Sequence, residues 1–450
     1  MVYYQEIKAV KISAKEATMA VVEPFRGYRY NPQLVGDLKK VVAQPYDKIG
    51  AELQAEYHQR SPYNIAHVTK SIEKNHDPET PYPKAGAMFQ EWITNQVLVP
   101  DVEPGFYAYY QIFKAEGKSH TRKGLVGLVA LEGGTAVRAH EKTLAGPKAD
   151  RLRLMRATEG NDGQIFMLYS DPNGTVNRVM DKAAAGKPLI EVPDDFGEIH
   201  KLWQIIDPQD IKDIKQALAD KELFIADGHH RYETAVNFMN ECRTKGWKPL
   251  GVESFTHRMM TMISMDDPDL VILATHRLVR DLPNFKLDGF LAALKEDFEV
   301  QQMPSREALF KGLASGKKWT FGMGADSGKR LFLVRLKDGS VIDKRITGKM
   351  SSEWKSLDVT VLHSLILERL LGIDAAKLEA QSNVDYGRDK DKGLDKLSDG
   401  KYQLVFLMNS TGVRDVQAVA SAGERMPQKS TDFYPKLLTG MVVMKMKIQK

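Results

Sequence analysis

The sequence predicts an α/β fold with α+β elaborations, and three stretches carry that expectation. The apolar run Leu223-Phe224-Ile225-Ala226 stops at Asp227-Gly228, and a helical pattern with Tyr232, Ala235, Val236 and Met239 on one face follows at once. This reads as strand, tight turn, helix. Upstream, residues 200–206 have strand character, and Asp207-Pro208 opens a helix with Ile211, Ile214 and Leu218 spaced for burial. Strand, helix, strand, helix in succession implies a βαβ unit around Asp227. From His276 onwards strands and helices alternate again with fewer chemically loaded motifs, as in a second α+β subdomain.

In chain order, the first hundred residues are mixed. Val41-Val42-Ala43 runs as a short strand into Gln44-Pro45-Tyr46-Asp47, where the proline disfavours further pairing and leaves Tyr46 and Asp47 in a turn. Residues 64–68 alternate like a half-buried strand, and residues 85–96 have helical spacing. Residues 106–113 and 123–131 read as a hairpin around Glu116-Gly117-Lys118. That hairpin delivers the chain to Arg138-Ala139-His140-Glu141-Lys142-Thr143, followed by a helix and the strand Ile165-Phe166-Met167-Leu168. Residues 258–265 and 270–274 look like paired strands, and the Met259, Met260, Met262 and Met265 run fits core filling. The glycine-rich residues 321–330 have Arg330 where a Walker loop needs Ser or Thr, so a hairpin turn is expected there. A helix spans residues 357–371. Gly423 to Lys436 is held out of regular structure by Pro427 and Pro435, and Lys429, Ser430 and Thr431 lie between them.

Bulk properties narrow the function classes. The 450 residues allow two or three domains, and 64 basic against 59 acidic residues, spread along the chain, give no concentrated basic face for a nucleic acid. The single cysteine, Cys242, excludes an intramolecular disulfide and a multi-cysteine zinc site. No stretch approaches the eighteen uninterrupted apolar residues that a membrane-spanning helix requires, so neither a membrane nor a nucleic acid is an expected partner and a cytoplasmic location is expected. The loaded turn is another matter. Asp227, Gly228, His229, His230 and Arg231 stand at a strand end beside the N–H groups that open a helix, which suits a phosphate site. The bland alternative is that Asp227 only caps the helix and the histidines face solvent. His140 and Glu141, also at a strand end, can supply a general base; a solvated charged loop is the alternative there. Lys429 and the adjacent hydroxyls of Ser430 and Thr431 suit phosphate oxygens.

Gln44-Pro45-Tyr46-Asp47, His140-Glu141-Lys142-Thr143, Ala226-Asp227-Gly228-His229-His230-Arg231-Tyr232-Glu233-Thr234-Ala235 and Met426-Pro427-Gln428-Lys429-Ser430-Thr431 together resemble a widespread prokaryotic family of unknown function, over essentially the whole chain. The core motif in turn resembles the box of the ParB/sulfiredoxin superfamily, nearest to its archaeal-type free serine kinases, which carry similar segments in the same order. The resemblance implies a ParB/sulfiredoxin-like core that binds ATP or ADP with Mg2+. It implies that Glu141 is the base towards a substrate hydroxyl and that Asp227 serves the metal and phosphate end. Gly228, His229, His230 and Arg231 would hold the nucleotide phosphates, Lys429, Ser430 and Thr431 would close over a phosphate or the substrate, and Tyr46, Asp47 and His140 would meet the substrate. Ser430 departs from the threonine those kinases have at that place.

The domains expected on this basis are a nucleotide-binding core over residues 1–275, an α+β subdomain over 276–420 and a segment over 421–450 that returns to the cleft. The expected function is a nucleotide-dependent phosphotransferase acting on a small hydroxylated metabolite, free L-serine leading. The alternative is a ParB-like nucleotide-binding switch or regulatory module without that activity. Sulfiredoxin chemistry wants a cysteine in the phosphate box, where this chain has histidine, and Cys242 lies on the following helix.

Overall fold

The computed structural model describes residues 20–71, 80–131, 136–139 and 145–450. Among them nine strands form the larger sheet: β1 (Val22–Glu23), β2 (Phe106–Ala115), β3 (Lys118–Ala130), β4 (Val137–Arg138), β5 (Ile165–Tyr169), β6 (Ile190–Pro193), β7 (Ile199–Ile205), β8 (Leu223–Asp227) and β9 (His257–Ser264). Their order across the sheet is β4-β8-β5-β9-β3-β2-β7-β6, with β1 beside β3. Helices that accompany this sheet are α1 (Ala145–Thr158), α2 (Thr175–Ala184), α3 (Pro208–Leu218) and α4 (His229–Thr244). A smaller sheet contains β10 (His276–Val279), β11 (Phe298–Met303), β12 (Thr320–Ala325), β13 (Arg330–Leu336), β14 (Val384–Gly387) and β15 (Leu404–Leu407) in the order β11-β13-β12-β15-β10-β14. Every pairing in it is antiparallel.

The mixed α/β class follows from these two sheets and their helices. The β2–β3 hairpin forms where the sequence places it, because Glu116 and Gly117 both adopt positive φ (50° and 78°), the backbone a two-residue turn needs to match strand twist. The glycine-rich stretch forms most of β12 and, at residues 326–329, the turn into β13. The expected βαβ unit is not formed in that way. β7 and β8 point in the same direction, but β5, β9, β3 and β2 lie between them, so α3 carries the chain across the sheet. The neighbours of β8 are β4, parallel, and β5, antiparallel.

Two local readings are also corrected. Residues 64–68 are not a strand: Ala66–Thr69 is a helical turn, started by the Asn64 side chain, whose Oδ1 accepts the Ala66 N–H at 2.9 Å while its Nδ2 donates to the Lys40 and Val42 carbonyls. Val271–Ile272 pairs with Phe433–Tyr434 rather than with β9, so a segment distant in sequence takes the place of the expected neighbour.

One apolar cluster runs through both sheets, with Phe166, Phe238 and Met260 at the larger and Phe321, Phe332 and Leu362 at the smaller. Met259, Met260 and Met262 are fully buried, so the methionine run does fill core. The C-terminal stretch is threaded back through the early part of the chain. Thr439 bridges to Ala43, Val443 to Tyr28, Met444–Lys445 pairs with Gly160–Asn161, and Ile448–Gln449 with Lys248–Pro249. Among the described residues no helix is long and apolar enough to cross a membrane.

Candidate functional site

The end of β8 is built to turn. Ile225 faces Met167 and Asp227 faces Phe166, which leaves Ala226 as an extra residue, a bulge that re-aims the side chain of Asp227. Gly228 follows at φ 99°, a left-handed conformation, and α4 begins at His229. A Cβ at Gly228 would lie 3.0–3.2 Å from the Arg231 guanidinium, which folds back over this position. Glycine is therefore required here twice, by backbone angle and by space.

Asp227 is gripped from both sides. Its Oδ2 accepts from Arg231 Nη2 at 2.7 Å and its Oδ1 from Lys436 Nζ at 3.2 Å. Burial alone would raise this carboxyl, and the charges of Lys436 and Arg231 more than reverse that, holding it well below the usual carboxylate range. Lys436 Nζ also lies 3.3 Å from Asp432 Oδ1, which accepts from Nη2 of Arg388, just beyond β14, at 2.9 Å, while Arg388 Nε donates to Asp432 Oδ2. The result is a line of alternating charge, Arg231, Asp227, Lys436, Asp432, Arg388, that runs from the larger sheet to the smaller. Burial would lower the Lys436 ammonium, but Asp227, Asp432 and Asp47 raise it above the ordinary lysine value. The burial of Asp432 is likewise outweighed by Lys436 and Arg388, and its carboxyl is lowered.

This line forms one wall of a cleft of about 720 Å3. The cleft brings together Tyr46, Asp47, Asp227, Gly228, His229, His230, Arg231, Lys429 and Thr431 from three of the four sequence motifs. Tyr46 is covered by the Arg151 guanidinium, 4.2 Å from its ring centroid. Burial lowers His230, with Glu233 opposing that shift. Lys429 sits at φ 56° and its carbonyl accepts from Arg277 Nη2 at 3.0 Å, so a buried arginine fixes the unusual backbone that carries this lysine to the cleft. Ser430 is not in the cleft. It is buried, its hydroxyl donates to the Pro427 carbonyl, and its own carbonyl accepts from Thr411, so it shapes the loop from behind.

His140 and Glu141 lie outside the described residues. On the near side, β4 runs parallel to β8 and so heads for the sheet edge that carries Asp227; on the far side, Pro147 in the first turn of α1 lines the cleft. Sequence reading passed over Lys48, Lys70, Tyr386, Arg388, Asp432 and Lys436, all of which line it. Asp432 and Lys436 carry a readable signal, an acid and a base four residues apart, and the other four carry none.

Residues 22–360 match the sequence profile of a family described as "Protein of unknown function (DUF1015)". The chain belongs to the DUF1015 family. In this DUF1015 chain the cleft residues from Tyr46 to Thr275 fall inside the matched span, whereas Arg388, Lys429, Asp432 and Lys436 lie beyond it. No curated protein matches it. Solved structures similar to this DUF1015 chain include a free serine kinase variant in complex with AMP (12% identity, 68% of this chain and 87% of that one, TM-score 0.34). Another is a conserved hypothetical protein from Pyrococcus furiosus (13% identity, 68% and 89%, TM-score 0.31). A third is SbnI with a C-terminal truncation from Staphylococcus aureus (10% identity, 70% and 85%, TM-score 0.33). Likeness at these scores carries no inference about activity.

Proposed function

We propose that this protein is a nucleotide-dependent phosphotransferase acting on a small hydroxylated metabolite, with free L-serine as the first candidate. The observation that carries the reading is the cleft at the end of β8. Six Lys and Arg residues line it against four Asp and Glu, and α4 opens into it with its N-terminal N–H groups, so an anion with several phosphate oxygens fits its charge. Phosphoryl transfer needs positioning and charge neutralisation more than covalent chemistry, and this donor set supplies both.

In this reading Arg231, Lys436 and Lys429 hold phosphate oxygens and Tyr46 borders the bound molecule. Asp227 and Asp47 are the residues that would hold Mg2+. Their carboxylates fit a hard cation, since Asp227 stays ionised and Asp47 is close enough to act on the charge of Lys436. Mg2+ there supplies neutralisation of phosphate charge. The substrate hydroxyl oxygen attacks the terminal phosphorus, the bond from that phosphorus to the nucleotide breaks, and the nucleotide leaves one phosphate shorter. Glu141 is assigned the hydroxyl proton. Asp227 is a poor choice for that role, because Lys436 and Arg231 hold its carboxyl well below the usual carboxylate range and leave it too weak a base.

The second reading is a nucleotide-binding switch without transfer. It is favoured by Tyr386, Gly387 and Arg388, through which the smaller sheet also lines the cleft, so that a ligand touches both sheets. Phosphorus NMR with Mg2+, ATP or ADP and free L-serine separates the two. The expected result is a phosphoserine signal in the wild type that is lost in Glu141→Ala. Nucleotide binding with no phosphorylated product across a panel of hydroxylated metabolites would leave the switch, and absence of nucleotide binding would overturn both.

A further inference from the structure

Away from the cleft, the turn between β6 and β7 encloses a second group of ligating side chains. Asp194, Glu198 and His200 are 5%, 5% and 0% exposed, and one ligating atom from each lies within 4.8 Å of the other two. On these side chains, Glu198 Oε1 and His200 Nε2 are fully buried with no hydrogen-bond partner. Buried polar atoms are paired in the great majority of cases, so two orphans facing the same small space call for an occupant. His200 Nε2 lies 3.7 Å from Asp194 Oδ2, too long for a hydrogen bond.

We propose that Asp194, Glu198 and His200 bind a structural first-row divalent cation, Zn2+ foremost. Two carboxylates balance its charge. One imidazole with two carboxylates suits Zn2+ better than Mg2+ or Ca2+, which prefer oxygen throughout. The surroundings are those of a ligand set held in place from outside. His200 Nδ1 meets the Tyr109 hydroxyl at 2.7 Å, a partner that can take its N–H and leave Nε2 bare for a metal. Asp194 Oδ1 accepts the N–H groups of Phe196 and Glu198, and its Oδ2 accepts from Gln44 Nε2 at 3.0 Å. The Tyr434 hydroxyl lies close enough to Glu198 to act on its charge. Ligating atoms of one zinc stand about 3–4 Å apart, so a modest rotation of these side chains closes the site.

The position gives the ion a purpose. Gln44 is two residues from Tyr46, and Tyr434 is two residues from Lys436, so the cluster ties the turn after β6 to two segments that line the cleft. A metal here would fix the back of the cleft without touching its ligand, and the inference stands whether or not the phosphotransferase reading does.

The test is metal analysis of the purified full chain after exposure to Zn2+ and dialysis, with isothermal titration for affinity. The wild type is expected to retain one zinc per chain. Glu198→Gln and His200→Gln are expected to lower affinity at least ~tenfold, whereas Asp227→Asn, in the cleft, leaves it unchanged. No zinc in the wild type overturns the proposal, as does a loss in Asp227→Asn with retention in Glu198→Gln. Should the variants fail to fold, Co2+ added to the wild type decides. Visible d–d bands bleached by Zn2+ support a site of this donor set, and their absence overturns it.

Discussion

Replacing Lys436 with methionine removes the middle charge of the line that joins the two sheets, while keeping a side chain of similar length in the same space. Across the 3.2 Å to Asp227, Coulomb attraction at an effective dielectric of about 20 amounts to about 5 kcal/mol. The net loss is smaller, because burying the ammonium is itself unfavourable and because Asp227 keeps Arg231 and Asp432 keeps Arg388. Removing one partner of a buried pair typically costs 3–5 kcal/mol, and with both carboxylates still partnered the low end, about 3 kcal/mol, is expected at pH 7. Urea unfolding followed by tryptophan fluorescence measures it, and a cycle with Asp227→Asn should give a coupling of about 2 kcal/mol. The pH dependence has a definite sign. The folded pKa of Asp227 lies below its unfolded value of about 3.9, so its contribution is complete above about pH 4 and is lost as the pH falls further. The gap between wild type and Lys436→Met should therefore narrow at pH 3. A coupling under about 0.5 kcal/mol, the spread expected for independent sites, or a gap at pH 3 as wide as at pH 7, would refute the reasoning.

Gly228→Ala forces a Cβ into a left-handed backbone and against the Arg231 guanidinium, and a loss of about 2 kcal/mol is expected from the strain; an unchanged urea midpoint would show that the turn relaxes freely. His276 is buried with its Nδ1 accepting from the Met408 N–H at 3.2 Å, and burial, aided by Arg277, pushes it down to about 4. Because the unfolded chain takes up this proton near pH 6.5, stability should be full above that pH and fall by up to about 3 kcal/mol as the pH drops towards 4. His276→Gln should flatten that part of the pH profile, and an equally steep profile in the variant would remove His276 as its source.

The turn from β8 into α4 was legible because everything it needs is local: an apolar run, Asp-Gly, then a helical stripe. The β2–β3 hairpin was legible for the same reason. The position of β7 was not, since adjacency in sequence says nothing of the four strands that come between it and β8. At Asn64 a short alternating window fitted a strand and a helical turn equally well, and a side-chain hydrogen bond decided between them. In the site, the motif residues Tyr46, Asp227, Arg231, Lys429 and Thr431 do meet, but the partners that set the charge of Asp227 are split between the helix that follows it and Lys436. Nothing around Asp227 in the sequence points to that lysine. Ser430 shows the converse: a hydroxyl between two cleft residues is turned away by one peptide unit.

The threading of the C-terminal stretch has a consequence for how the protein is made. Tyr28 and Ala43 leave the ribosome well before Val443 and Thr439, so the bridges between them close only after the intervening chain has been made. Contacts so far apart in sequence close slowly, and partly made chains expose the surface that awaits them. A nascent chain that has reached only Ser421 holds Asp227 and Arg231 but lacks Lys429, Asp432 and Lys436, so its cleft has no complete line of charge. The charge line of the cleft therefore closes only once the chain has been made as far as Lys436, 209 residues beyond Asp227.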